Sequence, residues 1–84
     1  MQSIVSLTLI VQAQEEMAAG RYREAGRLVL EAADVITTPE EADEVTELCE
    51  VAMEQCGFVQ RGRFESALEY AEERRAELSA SLPR

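Results

Sequence analysis

The sequence has 84 residues, the length of one small domain, which on folding buries only about 60–65% of the surface that the unfolded chain exposes. Fifteen Glu and two Asp oppose eight Arg and no Lys, so the net charge is −9, which disfavours direct binding to nucleic acid or to an anionic membrane. The chain has no His and only two Cys, so we expect no catalytic residue, no metal site and no cofactor.

The first predicted helix starts in the apolar run at residues 4–11 and ends near Gly20. The Val, Ile and Thr content of this run also suits a strand, but the alternation is imperfect and the chain offers no partner strand. Eight apolar residues cannot cross a bilayer, which requires about 20, and no Arg or Lys precedes them as in a signal peptide. We therefore expect a helix in a cytoplasmic protein without membrane contact.

Residues 36–41, with the sequence ITTPEE, separate the second predicted helix from the third. The hydroxyl of Thr38 and the carboxylate of Glu41 have the spacing of a capping box, and Pro39 occupies the first helical position. The second helix ends near Ile36, and a third helix begins at Thr38. The apolar stripe of the second helix consists of Tyr22, Ala25, Val29, Ala32, Ala33 and Ile36.

Glycines mark the predicted boundary between the third and fourth helices. We expect Gly57 to loosen the end of the third helix and Gly62 to mark the turn into the fourth. Cys49 and Cys56 lie seven residues apart on one helical face, about 10.5 Å apart along the axis. A disulfide needs Cα atoms within about 7 Å, so we expect both thiols to stay reduced in the core.

Two segments 42 residues apart share a glycine, an aromatic ring and an alanine at the same offsets. They are Gly20, Tyr22 and Ala25 in the first half and Gly62, Phe64 and Ala67 in the second. Self-similarity at such a period is typical of stacked helical hairpins. In this interpretation the glycine permits a tight turn, the ring fills the hairpin corner, and the alanine allows the helices to approach closely.

At these residues the chain resembles the tetratricopeptide repeat family, whose helix–turn–helix unit carries the motif G-x-[YF]-x-x-A at the turn into its second helix. The predicted fold is all-α, with four antiparallel helices arranged as two stacked helix-turn-helix repeats in a single domain of residues 1–84. Repeat one covers about residues 3–36 and repeat two about residues 38–81. The 42-residue spacing exceeds the standard 34, and an unrelated antiparallel four-helix bundle is the alternative.

Five glutamates recur at three- and four-residue spacing, mostly along one side of the third predicted helix. They are Glu40, Glu44, Glu47, Glu50 and Glu54. A solvated face that maintains solubility is the simpler interpretation. In tetratricopeptide arrays the first helix of each hairpin lines a concave groove, so the resemblance implies that this acidic stripe attracts a basic peptide. The family's clamp for acidic peptide tails uses Lys, Arg and Asn, and since this chain has no Lys or Asn we expect that clamp to be absent.

The expected function is that of a non-catalytic interaction module, an adaptor or small chaperone-like subunit that binds a protein or peptide in a helical groove. Two hairpins are fewer than the roughly three repeats that stacked arrays need. We therefore expect a homodimer or a hetero-complex that covers residues 4–11 or the stripe Ala71, Leu78 and Leu82. The alternative function is an acidic inhibitor or nucleic-acid mimic that occupies a basic site on another protein. An enzyme is the weakest hypothesis, because nothing resembles a nucleophile with its base or a phosphate loop.

Overall fold

The computed structural model describes residues 4–81, which form four α-helices. They are α1 (Ile4–Ala18), α2 (Tyr22–Asp34), α3 (Pro39–Gln55) and α4 (Phe58–Ser81). No strand occurs between residues 4 and 81, so the all-α prediction is confirmed, and the apolar run at residues 4–11 is helical. Leu82, which belongs to one predicted partner surface, lies outside the described residues.

The start of α3 agrees with the sequence prediction. Thr38 has an extended backbone at the N-cap, and its hydroxyl accepts a hydrogen bond from the backbone N–H of Glu41 at 3.2 Å. The carboxylate of Glu41 in turn accepts hydrogen bonds from the hydroxyls of Thr37 at 2.7 Å and Thr38 at 3.4 Å. Glu41 is completely buried, so these short-range bonds fix the path of the chain between α2 and α3.

The two hairpin turns differ in their position relative to the shared motif. The first turn lies at Gly20, whose φ of +80° is a conformation that glycine adopts without strain. The prediction that the second turn lies at Gly62 is wrong, since α4 begins at Phe58 and Gly62 is inside it. The break comes instead at Gly57, whose carbonyl accepts a hydrogen bond from the N–H of Gln60 at 3.1 Å. An early break at Gly57 leaves Gly62 free to continue the helix.

The aromatic rings of the motif are therefore not equivalent. Tyr22 is the first residue of α2 and is half-buried at its hairpin turn. Phe64 lies about two turns into α4 and is completely buried, so it fills the core rather than a hairpin corner. Ala25 and Ala67 are also completely buried, which agrees with their predicted role in close helix packing.

The helices pack as two hairpins side by side. α1 packs along α2, α3 packs along α4, and α2 and α4 form the central pair. Within residues 4–81, α1 makes no contact with α4. In a simple up-and-down four-helix bundle these two helices would be neighbours. Three residues of α4 each lie next to a residue of α2 or of the segment just after it, and the two members of each pair are 36 to 38 positions apart in the sequence. Because this separation stays nearly constant along both helices, α2 and α4 run in the same direction. These pairs are Gly26 with Arg63, Asp34 with Tyr70, and Ile36 with Arg74.

The spatial repeat is shorter than the 42 residues predicted from the motif. The first helices of the two hairpins end at Ala18 and Gln55, 37 residues apart, and the second helices begin at Tyr22 and Phe58, 36 residues apart. The motif match at Gly62 therefore aligns the start of α2 with the interior of α4. Alanine favours helices, and an isolated glycine is tolerated inside one at a cost of about 1 kcal/mol, so the match does not mark an equivalent turn.

The core is built from small apolar side chains of all four helices. Phe64 is its largest completely buried residue, and half of the buried hydrophobic residues are alanines. They are Ile10, Ala13, Ala25, Leu28, Val29, Ala32, Ala33, Ile36, Ala42, Val45, Leu48, Cys49, Ala52, Phe64, Ala67 and Ala71. Both cysteines are reduced, and burial raises the pKa of the Cys49 thiol to about 12, which makes it unreactive at neutral pH.

Candidate functional site

A groove with a volume of about 650 Å³ lies between α1 and α3, the first helices of the two hairpins. These helices pack against each other less extensively than either packs within its own hairpin, which leaves space between them. The volume falls in the range of about 300–1,000 Å³ that is typical of ligand sites. The groove is lined by Leu7, Ile10, Val11, Gln14, Met17 and Ala18 of α1 and by Glu44, Glu47, Leu48, Val51 and Gln55 of α3.

Most of the groove surface is apolar. Ile10 and Leu48 are only 6% and 7% exposed and belong to the hydrophobic core, so they form the floor. Val11 on α1 and Val51 on α3 are 50% and 41% exposed and form the sides. Contiguous exposed apolar surface of this kind marks interaction sites in many proteins.

The charged residues of the groove are all acidic. Glu44 and Glu47 line its α3 side, both are exposed, and no Arg is among the lining residues. Within residues 4–81, neither carboxylate has an arginine nitrogen within 4 Å. The groove therefore presents negative charge beside an apolar surface, which attracts positively charged groups.

Only part of the predicted acidic stripe belongs to this groove. All five of its glutamates are exposed, but Glu40, Glu50 and Glu54 do not line the groove. At about 100° per residue, Glu50 lies about 40° around the helix from Glu54 and about 60° from Glu47, the nearest groove-lining position. The spacing of residues along α3 identified an acidic side, whereas the position of α1 decides which glutamates adjoin the groove.

Of the two surfaces that the sequence predicts to bind a partner, one has exposed apolar groups and the other is largely buried in the fold. In the run of residues 4–11, Val5 and Val11 are 57% and 50% exposed, so this surface has exposed apolar groups. The other stripe is not an open surface, because Ala71 is completely buried and Leu78 is half-buried against the core. α4 packs against both α2 and α3, and this packing covers Ala71 and part of Leu78.

Both hairpin turns lie at the same end of the molecule. A depression of about 400 Å³ is bounded by residues 20–24 of the first turn and by Gln60 near the second. Two large apolar side chains project at this end, since Phe58 is 93% exposed and Val59 is 86% exposed. The sequence prediction missed this pair because it placed both residues before a turn at Gly62. A glycine directly followed by two apolar residues was the available signal.

Half of the arginines in the chain also lie at or just after these turns. Arg21 donates hydrogen bonds to the carboxylate of Glu16, which lowers the pKa of Glu16. Arg61 lies 3.3 Å from the carboxylate of Glu65, and both side chains are more than half exposed. The other two, Arg23 and Arg63, are exposed and have no ion pair within the described residues. Half of the arginines are therefore at the turn end, where Glu15, Glu16, Glu24, Glu54 and Glu65 also lie.

No family model, curated protein or solved structure matches this chain. The resemblance to tetratricopeptide repeats thus depends on the motif residues. None of the helices in the described part of the chain has both the length and the apolar character needed to cross a membrane. Within residues 4–81, no group of three or more Cys, Asp or Glu side chains is arranged to hold a metal ion.

Proposed function

We propose that the protein is a non-catalytic interaction module whose groove between α1 and α3 binds a basic amphipathic peptide or helix of a partner protein. The observation that carries this proposal is the combination of an apolar groove with two exposed carboxylates and no cation among its lining residues in the described part of the chain. The two-hairpin arrangement also supports it, because the first helices of both hairpins line the groove. The two reduced cysteines suit the cytoplasm, where we expect the protein to act.

In this mechanism apolar contacts supply most of the affinity. An aliphatic side chain that covers Ile10, Leu48 and the two valines contributes about 1.5–3 kcal/mol when fully buried. Exposed ion pairs to Glu44 or Glu47 contribute about 0–1 kcal/mol each. The carboxylates therefore act mainly by selecting basic partners and by accelerating their association.

The experiment uses a synthetic amphipathic peptide with Leu at positions i, i+3, i+4 and i+7 and Arg on both flanks, titrated by fluorescence anisotropy. Val51→Glu places a charge on the groove wall and should abolish binding. Glu47→Lys should weaken binding about fivefold, since about 1 kcal/mol of favourable interaction is lost. Glu54→Lys is the matched control, because it makes the same change of net charge on the same helix outside the groove.

The results separate the groove from a general charge effect. If Glu47→Lys and Glu54→Lys weaken binding equally and Val51→Glu has no effect, the groove is not the binding site. Leu-to-Ser replacement in the peptide should remove binding even though its charge is unchanged, because apolar contacts provide the affinity.

The alternative, an acidic inhibitor or nucleic-acid mimic, is favoured by the exposure of all five glutamates of the stripe. A mimic uses the whole acidic surface, so Glu50→Lys should weaken its binding to a basic protein as strongly as Glu47→Lys. Groove binding instead predicts that Glu50→Lys has little effect, because Glu50 does not line the groove. Comparison of these two variants therefore decides between the functions.

A further inference from the structure

The turn between α3 and α4 combines exposed apolar side chains with cations, which is the combination that the proposed groove would bind. Phe58 and Val59 are 93% and 86% exposed, the highest values among the exposed large hydrophobic residues. Arg61 and Arg63 follow within the next turn and a half of α4 and are both exposed. We call residues 58–63 the turn knob. It combines two exposed apolar side chains with two cations at the end of a rigid helix.

The cations of the turn knob remain accessible to a partner. Arg61 has only an exposed pair with Glu65 at 3.3 Å, and such pairs contribute about 0–1 kcal/mol. Arg63 has no ion pair within the described residues, and its methylene stem lies against Gly26 of α2. The contact with Gly26 holds the base of this side chain, and the residue as a whole is exposed.

We propose that the turn knob of one copy of the protein docks into the groove of a second copy. This inference rests on the proposed function of the groove and assigns it an occupant. Phe58 and Val59 would cover the apolar groove surface, and Arg61 or Arg63 would approach Glu44 and Glu47. Within a single copy, neither Phe58 nor Val59 lines the groove, so the interaction is between copies.

The two surfaces of this interface are different, so the association is heterologous. Each copy has one turn knob and one groove, so a pair joined through a single such contact leaves one of each open. Copies then add head to tail until a ring closes or a chain grows. The net charge of −9 on each copy opposes growth, so we expect a reversible association that increases with protein concentration.

The test uses two variants and their mixture in analytical ultracentrifugation. Phe58→Glu disables the turn knob and leaves the groove intact, whereas Val51→Glu disables the groove and leaves the turn knob intact. Both positions are exposed, and circular dichroism checks that each variant remains helical. Leu30→Glu is the matched control, since Leu30 is 42% exposed on α2 and lines neither the groove nor the turn depression.

The native protein and the Leu30→Glu control should reach an average mass above twice the 9.3 kDa of one chain as concentration rises. Each of the other two variants alone should stay monomeric. An equimolar mixture of them should form a 1:1 complex and nothing larger, because only one intact turn knob and one intact groove can meet. The basic amphipathic peptide should dissociate this complex by competing for the same groove.

Three results would overturn the inference. They are a native protein that stays monomeric at millimolar concentration, a mixture of the two variants that forms no complex, and association that survives Phe58→Glu. If the native protein is monomeric but its groove binds the basic peptide, self-association is refuted and the proposed function stands. If the groove also fails to bind the peptide, both are refuted.

Discussion

Replacement of Phe64 by Ala is the sharpest test of the position of α4. Phe64 is the largest completely buried side chain, and Phe→Ala changes in cores cost about 3–5 kcal/mol. A domain of this size has a total free energy of unfolding of about 4–12 kcal/mol. Phe64→Ala should therefore remove a large fraction of the stability and lower the urea midpoint by about 2 M.

The matched control is Phe58→Ala, which makes the same substitution in the same helix. Phe58 is 93% exposed, so its loss should change the free energy of unfolding by less than about 0.5 kcal/mol. Phe64→Leu should lose about 1 kcal/mol and gives a measurable value even where the Ala variant does not fold. A larger loss at Phe58 than at Phe64 would place Phe58 in the core and the turn at Gly62, and would refute the helix boundaries described above.

The remaining predictions concern the cap, the first turn and the buried thiol. Thr38→Ala should cost about 1 kcal/mol in urea denaturation, because it removes the N-cap hydrogen bond. Gly20→Ala should cost about 1 kcal/mol because of its φ of +80°, whereas Gly57→Ala, with open space around the added methyl group, should be tolerated. Since burial raises the pKa of Cys49 to about 12, the thiol ionises first in the unfolded chain. The free energy of unfolding should therefore fall by about 1 kcal/mol per pH unit above pH 9, and Cys49→Ala should remove this fall.

The helix boundaries that the sequence predicts correctly are determined by local interactions. The start of α3 depends on hydrogen bonds between Thr38 and Glu41, three residues apart. The turn at Gly20 depends on the conformation of that one residue. Gly62 was misinterpreted because a helical glycine and a turn glycine look alike in sequence. Residues from Phe58 onward continue the helix through Gly62, and contacts of α4 with α2 and α3 stabilise it.

The groove was only partly predictable for a similar reason. The spacing of glutamates on α3 and of apolar residues on α1 indicated one acidic and one apolar helix face. That Glu44 and Glu47, but not Glu50, adjoin α1 depends on how the hairpins stack. The stacking offset of 36 to 38 residues is seen in long-range pairs such as Tyr70 with Asp34, which no local sequence pattern reveals.

The position of the groove follows from the sizes of the residues between the helices. α2 and α4 approach closely at Gly26, where an added methyl group would lie 3.2 Å from Cβ of Arg63. Close approach on this side leaves the larger side chains of α1 and α3, such as Ile10 and Leu48, to meet on the opposite side. Larger side chains hold helices further apart, within the usual range of about 8–10 Å between axes. Close packing of α2 against α4, as at Gly26, thus brings the hairpins together on one side, and the less extensive packing of α1 against α3 leaves the groove open on the other.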